Sequence, residues 1–248
     1  YEELSKVSDR FTVAAAFGAA SPAHALTFNL TSTGNATADM GFQAAASFWQ
    51  GVFIDPVIVN ITAGFALLDP NVLGQAGSAY LNTSFAAMKT ALGVDASSVD
   101  DATMVVGLPG GSNYSKLING TADSGGATHV HSAITDLQVT RANAKAIGLV
   151  AANDAAEDAQ ITFSSAFNFD FDPSDGIGAG LFDFVGIAIH ELGHAMGFTS
   201  GVDFLDTNSN GPGVSGSFRD AYFDPYATLL DFTRCSGASQ QAGADIDW

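Results

Sequence analysis

His190, Glu191 and His194 are the residues of this chain whose types and spacing could do chemistry. Residues four apart lie on the same face of a helix, so the imidazoles of His190 and His194 can bind one metal ion. Glu191 lies one residue further round, where its carboxylate can reach a water at that ion without being a ligand. The alternative is a buried apolar helix that carries two histidines by chance. It is disfavoured because such groups are costly to bury without a partner.

The stretch that carries these residues, 181–198, is predicted to be a helix buried inside the domain because it is apolar almost all round. Asp183 is a candidate N-cap and Gly197 a candidate C-terminal stop. The stretch is too short, and too interrupted by Asp183 and the three candidate site residues, to span a membrane.

Composition indicates a packed globular domain rather than a disordered chain. The chain is 47% hydrophobic with 19 Phe, and its net charge is −18. An acidic surface of this kind repels nucleic acid and anionic membranes, so neither is expected as a partner. The single cysteine, Cys235, excludes a disulfide within the chain. It is interpreted as an ordinary buried or loop cysteine, because no histidine follows His194 and nothing marks the thiol as activated.

The N-terminal residues 1–25 have the pattern of a signal peptide. An apolar run over residues 11–20 follows Lys6 and Arg10, and Ala23-His24-Ala25 has the small-x-small form of a cleavage site. The mature domain is therefore expected to cover residues 26–248. An ordinary Ala-rich helix is the alternative for this segment. The chain stops at Trp248 without a closing element, as a fragment would.

Hydrophobic periodicity places further elements along the chain. Strands are predicted over residues 26–31 and 57–68, helices over 36–52, 84–92 and 141–150, and a loop or hairpin over 109–126.

A strand is also predicted over residues 159–171, where Phe167, Phe169 and Phe171 alternate with polar residues just before the metal helix. The alternative for the end of this stretch is a calcium-binding turn formed by Asp170, Asp172 and Asp175 with Gly176.

The run His190-Glu-Leu-Gly-His194-Ala-Met-Gly197 resembles the zincin superfamily, and Gly197 stands where the metzincins place their turn glycine. Residues 140–149, 159–163 and 198–203 are similar to a group of secreted bacterial zinc metalloproteases, some with C-terminal surface-sorting tails. The resemblance covers roughly residues 130 to 235. It implies an α+β zincin-like domain with a mixed twisted sheet, an edge strand lining the cleft and a buried active-site helix. Because zinc peptidases place an open-edged strand just before this helix, residues 159–171 are expected to form that edge strand. It also implies a secreted endopeptidase that uses one Zn²⁺ and acts on proteins or peptides, with His190 and His194 as ligands and Glu191 as general base.

The chain departs from the metzincin pattern at the third ligand. Ser200 stands where metzincins have a third His or Asp, no Met follows Met196 to build a Met-turn, and no histidine follows His194. A neutral hydroxyl is a poor zinc ligand beside a carboxylate, so an aspartate is expected in this role.

The candidate third ligands are the aspartates that follow the metal helix: Asp203, Asp206, Asp220, Asp224 and Asp231. Asp203 is preferred because it is the nearest acid after the turn, and Asp206 comes second. Asp231 is instead expected to pair with Arg234 or to cap a helix.

His129 and His131 are two residues apart and would share one face of a strand. They could form a second metal site, or one of them could donate a hydrogen bond to the transition state. The third reading is that both are half-buried strand residues.

Two other functions stay open at this stage. A zinc hydrolase of non-peptide amides or esters would use the same residues. A catalytically silent, acidic adhesion module could keep the zincin fold, but the intact Glu191 argues against it, because a structural site does not need a base.

Overall fold

The computed structural model describes residues 26–210 and 214–248. The predicted signal peptide, residues 1–25, lies outside the described residues. The described residues are α+β, with helices, two mixed sheets, one antiparallel pair of strands and one parallel pair. The helices are α1 (Ala36–Gln50), α2 (Phe85–Asp95), α3 (Val99–Gly107), α4 (Arg141–Ala146), α5 (Phe184–Ala195), α6 (Val202–Asn208) and α7 (Gly237–Ala242). The strands are β1 (Thr27–Leu30), β2 (Ile58–Ala66), β3 (Gly74–Ser78), β4 (Tyr80–Ser84), β5 (Tyr114–Ile118), β6 (His129–Ile134), β7 (Asp136–Thr140), β8 (Ala159–Ser164), β9 (Phe169–Asp170), β10 (Phe182–Asp183) and β11 (Ile246–Asp247). Short 3-10 helices cover Pro173–Asp175, Asp220–Tyr226 and Leu230–Thr233.

A four-stranded sheet in the order β1-β2-β8-β3 supports the metal helix. Strands β1, β2 and β8 are parallel, whereas β3 runs antiparallel to β8 and closes the sheet at one edge. The buried side chains Val59, Ile61, Ile161 and Phe163 of the two inner strands are β-branched or aromatic, which suits a pleated surface packed against helices.

Helices α1 and α5 pack against each other and, with the sheet, enclose the first hydrophobic core. Phe184 and Leu192 of α5 and Phe42 of α1 are at most 1% exposed. Full burial of each such side chain contributes about 1.5–3 kcal/mol, so α5 is held by its apolar face. The face that carries His190 is left towards solvent.

A second hydrophobic core lies around α2, the β5–β6 pair and the antiparallel pair of β4 with β7. Phe85, Ile118 and Phe223 are fully buried in it. Strand β3 is followed by β4 after the single residue Ala79, so this continuous segment of backbone connects the first hydrophobic core to the second.

Most elements predicted from periodicity are confirmed, with shifted ends. Strands β1 and β2 and helices α1, α2 and α4 all begin within a residue or two of the predicted starts, although α4 ends four residues early. The predicted loop or hairpin over residues 109–126 contains β5, which pairs with β6. No helix in the described part of the chain is long and apolar enough to cross a bilayer.

Candidate metal centre

Helix α5 begins and ends where the sequence predicts its caps. The side chain of Asp183 accepts a hydrogen bond from the backbone N–H of Gly186 at 2.9 Å, and Met196 is the C-cap. Gly197 then has φ = +108°, a conformation open to glycine but strained for other residues. The helix is shorter than the predicted stretch 181–198, because the caps take up residues at both ends.

The imidazoles of His190 and His194 converge. Their Nε2 atoms are 3.0 Å apart, and two nitrogens that bind one tetrahedral zinc ion at ~2.0 Å each lie about 3.3 Å apart. The Nδ1 of His194 lies 2.7 Å from the carbonyl oxygen of Phe198. A carbonyl only accepts, so Nδ1 must carry the proton, and the lone pair of a neutral His194 is on Nε2. This backbone contact is the usual way to fix the tautomer of a metal-binding histidine.

Glu191 is only 5% exposed and lies against the edge strand β3. A Cβ placed on Gly74 would be 3.4 Å from its Oε1. Burial raises the pKa of Glu191, while positive charge on His194 and His190 and a backbone hydrogen bond from Ala76 act in the opposite direction. A partly desolvated carboxylate beside two imidazoles is placed to take and give a proton.

Strand β3 forms one of the two edges of the sheet. The prediction that residues 159–171 form the open edge strand is wrong. That stretch forms β8 and β9 with a turn between them, and β8 lies inside the sheet between β2 and β3. The alternation of phenylalanines predicts which face of the strand is apolar, but it does not indicate which strands pair with it. Ser78 at the end of β3 donates a hydrogen bond to the carbonyl oxygen of His194 at 2.9 Å, so the edge strand is tied to the metal helix.

The turn after α5 is anchored by Asp231, which is fully buried. Its carboxylate accepts hydrogen bonds from Ser200 Oγ at 2.5 Å, from the backbone N–H of Gly201 at 2.9 Å and from that of Thr228 at 2.8 Å. The expected pairing with Arg234 is not found, since Arg234 instead donates to Ser200 Oγ, whereas the bond to Gly201, the N-cap residue of α6, places the Asp231 carboxylate at a helix start. Asp231 is a poor candidate for the third zinc ligand, because its carboxylate is fully buried in these hydrogen bonds and does not line the cleft beside His194. Ser200, at the metzincin ligand position, points its hydroxyl proton at this carboxylate.

A second anchor is Asn143 of α4, within the stretch 140–149 that carries part of the family resemblance. Its Nδ2 donates to the carbonyl oxygen of Met196 at 2.8 Å, and a Cβ on Gly197 would lie 2.0 Å from its Oδ1. Asn143 thus fills the space that the glycine leaves and holds the C-terminal end of the metal helix.

A cleft of about 560 Å³ opens beside His194, between the two cores. Residues from both sides line it, among them Ala76, Ser78, His194, Asp203, Phe204 and Tyr226. Asp203 lies in the first turn of α6 with its side chain exposed. Asp206, also exposed, is not among the lining residues.

The structure does not group Asp203 with the imidazole pair. Within residues 26–210 and 214–248, no three His, Cys, Asp or Glu side chains are arranged to hold a metal ion. Asp203 as the third zinc ligand stays a prediction.

Asp220 and Asp224 contact the histidines of β6 instead, which corrects their choice as candidate third zinc ligands. His129 Nε2 lies 2.6 Å from Asp220 Oδ2, and His131 Nε2 lies 2.8 Å from Asp224 Oδ1. The fully buried Lys116 is 3.8 Å from Asp224 Oδ1. His129 and His131 therefore join β6 to the segment Asp220–Tyr226, as half-buried strand residues would, and neither lines the cleft.

The turn proposed for calcium uses its carboxylates to bind its own backbone. Asp170 accepts hydrogen bonds from the N–H groups of Asp172 and Gly178, and Asp172 from that of Ser174. These are the turns that aspartate forms without a metal. Cys235 is exposed in a loop.

Comparison with known proteins returned no relative: no protein-family model matches the chain, and no curated protein or solved structure is significantly similar to it. The case for function therefore rests on the geometry of the chain itself.

Proposed function

We propose that this chain is a zinc-dependent endopeptidase with a zincin-type catalytic domain, and that it acts on proteins or peptides outside the cell. One observation carries the proposal. Two imidazole Nε2 atoms meet at 3.0 Å on the cleft side of α5, with the Nδ1 proton of His194 bound to a backbone carbonyl. Placing two histidines on this apolar helix has a physical reason if they share a cation.

The donor set suits zinc. Neutral imidazole nitrogen is a preferred zinc ligand, and the tautomer of His194 is already the one that binding requires. His190 and His194 would hold the ion. When bound, zinc lowers the pKa of a water towards ~7 and polarises a carbonyl group.

Glu191 acts as the general base of the proposed reaction. Its buried carboxylate takes a proton from the attacking water and passes it to the nitrogen of the leaving amine. The backbone of β3 keeps the carboxylate in place through Ala76 and the close approach of Gly74.

The free edge of β3 suits an extended peptide. Its inner side pairs with β8, and no strand in the described part of the chain pairs with its outer side. An open strand edge binds extended peptides through main-chain hydrogen bonds. Because β3 also contacts α5 through Ser78, a peptide on this edge would run past the histidine pair.

Secretion is the part of the proposal that rests on sequence alone. The apolar run and small-x-small site in residues 1–25 support export, and the net charge of −18 suits an extracellular surface.

A casein assay with and without o-phenanthroline tests the proposed function. We expect hydrolysis that the chelator abolishes and that added Zn²⁺ restores. Hydrolysis that survives the chelator would exclude metal catalysis. If no protein or peptide is hydrolysed but an ester or a small amide is, the result would indicate the non-peptide hydrolase. If no substrate is turned over, the result would indicate the silent adhesion module.

A further inference from the structure

Asp203 has a free carboxylate on the wall of the cleft. It lines the same cleft as His194, yet its carboxylate makes no hydrogen bond or ion pair with any residue in the part of the chain that the structure describes. The hydroxyl of Thr207 donates a hydrogen bond to the backbone oxygen of Asp203, not to its carboxylate. An acid with no protein partner beside a reactive centre is free to meet a substrate.

An aromatic pair shares the wall of this cleft with Asp203. Phe204 and Tyr226 also line the cleft, and their rings stack with centroids 3.9 Å apart and an interplanar angle of 28°. The aliphatic stem of a long cationic side chain packs well on such a surface, and a guanidinium also stacks on aromatic faces.

We propose that this part of the cleft recognises a basic side chain, arginine above lysine, on the substrate residue next to the scissile bond. Asp203 would accept the hydrogen bonds of the cation, and Phe204 and Tyr226 would contact its stem. Arginine is favoured because its planar fork can bind a carboxylate through two parallel N–H groups. The net charge of −18 adds attraction for cationic peptides.

This inference rests on the proposed peptidase function and departs from the prediction that Asp203 binds zinc. In this arrangement separate groups bind the metal and the substrate: the two imidazoles bind the zinc ion, and Asp203 binds the basic side chain of the peptide.

The test is the cleavage profile of the zinc-loaded protein on a complex peptide mixture, read by mass spectrometry with zinc content measured in parallel. The variants are Asp203→Asn and Asp203→Lys, with Asp100→Asn as the matched control. Asp100 is also exposed and also the second residue of its helix, α3, but it does not line the cleft. We expect Arg and Lys to be enriched beside the bonds that the unmodified protein and Asp100→Asn cleave.

Asp203→Asn should keep its zinc. It should lower kcat/KM for an arginine-containing peptide about tenfold relative to kcat/KM for the same peptide with norleucine in place of arginine. This is the size of effect expected for the loss of a charge-assisted hydrogen bond. Asp203→Lys should shift the preference towards acidic residues. Cleavage without basic enrichment, an enrichment that survives both variants, or loss of zinc from Asp203→Asn would each overturn the inference while leaving a peptidase. If the unmodified protein cleaves no peptide, the proposed peptidase function itself is contradicted.

Discussion

At the scale of single residues, backbone atoms hold the reactive side chains in place. The carbonyl of Phe198 fixes the tautomer of His194, and β3 holds the carboxylate of Glu191. One contact comes from β3, which is distant from the motif in sequence but adjacent to it in the structure, and the other from Phe198, just beyond the motif in sequence. The pentad therefore supplies the groups, and the turn after α5 and the edge strand supply their orientation.

The role of Glu191 gives the first prediction. Glu191→Gln keeps the shape of the side chain and both histidines but cannot accept a proton from water. We expect zinc content to stay near that of the unmodified protein and kcat to fall by at least ~10². Zinc content by elemental analysis and peptide turnover check this together, and turnover within a few fold of the unmodified protein would show that Glu191 is not the base.

At the scale of elements, the end of α5 is set by two neighbours. Asn143 of α4 holds the carbonyl of Met196, and Asp231 holds the turn at Ser200 and Gly201. Together they hold the end of α5 and the turn that follows it.

Gly197→Ala tests this arrangement. The residue has φ = +108°, and the added methyl would overlap Asn143 Oδ1. Strain of this kind, with the displaced side chain, should lower the free energy of unfolding by about 2 kcal/mol or more. Gly64→Ala is the control, because a Cβ there meets nothing within 4 Å, and it should change stability by less than ~0.5 kcal/mol. Urea unfolding measures both, and equal effects would mean that the turn tolerates a side chain.

Sequence patterns predicted the elements whose residues repeat clearly, such as the apolar helix α5 and the β-branched strand β2. They did not reveal β3, whose sequence Gly-Gln-Ala-Gly-Ser lacks the β-branched and aromatic residues of a typical strand. Its place at the sheet edge depends on pairing with β8, over 80 residues away, and such pairing leaves no local signal. The same limit applies to Asp231, since only the fold brings its carboxylate to Ser200.

At the scale of the whole molecule, the cleft lies where two cores meet, and the segment Asp220–Tyr226 forms part of its far wall. This segment is attached to β6 by the contacts of His129 with Asp220 and of His131 with Asp224. Tyr226, at the end of the segment, reaches the cleft. The wall thus depends in part on the contact between His129 and Asp220.

A pH dependence of stability follows. Burial lowers the pKa of His129, but the hydrogen bond and negative charge of Asp220, with smaller effects from Ala127 and Asp123, outweigh it and raise the pKa above 6.5. A raised histidine pKa contributes stability that is fully present below pH ~6.5 and is lost as the pH rises through the folded-state value. We expect Tm to fall between pH 6 and pH 8.5, and His129→Gln to make this fall smaller. An unchanged fall in His129→Gln would show that the pair contributes nothing to the pH response.

The most direct measurement of the central claim is the zinc content of the purified, untagged protein, compared with that of a His190→Ala, His194→Ala double variant. The geometry of α5 predicts one zinc ion per chain in the unmodified protein and none in the double variant, with the fold of both intact by circular dichroism. A chain that takes up no zinc even when it is supplied, or a double variant that keeps its full equivalent, would contradict the account.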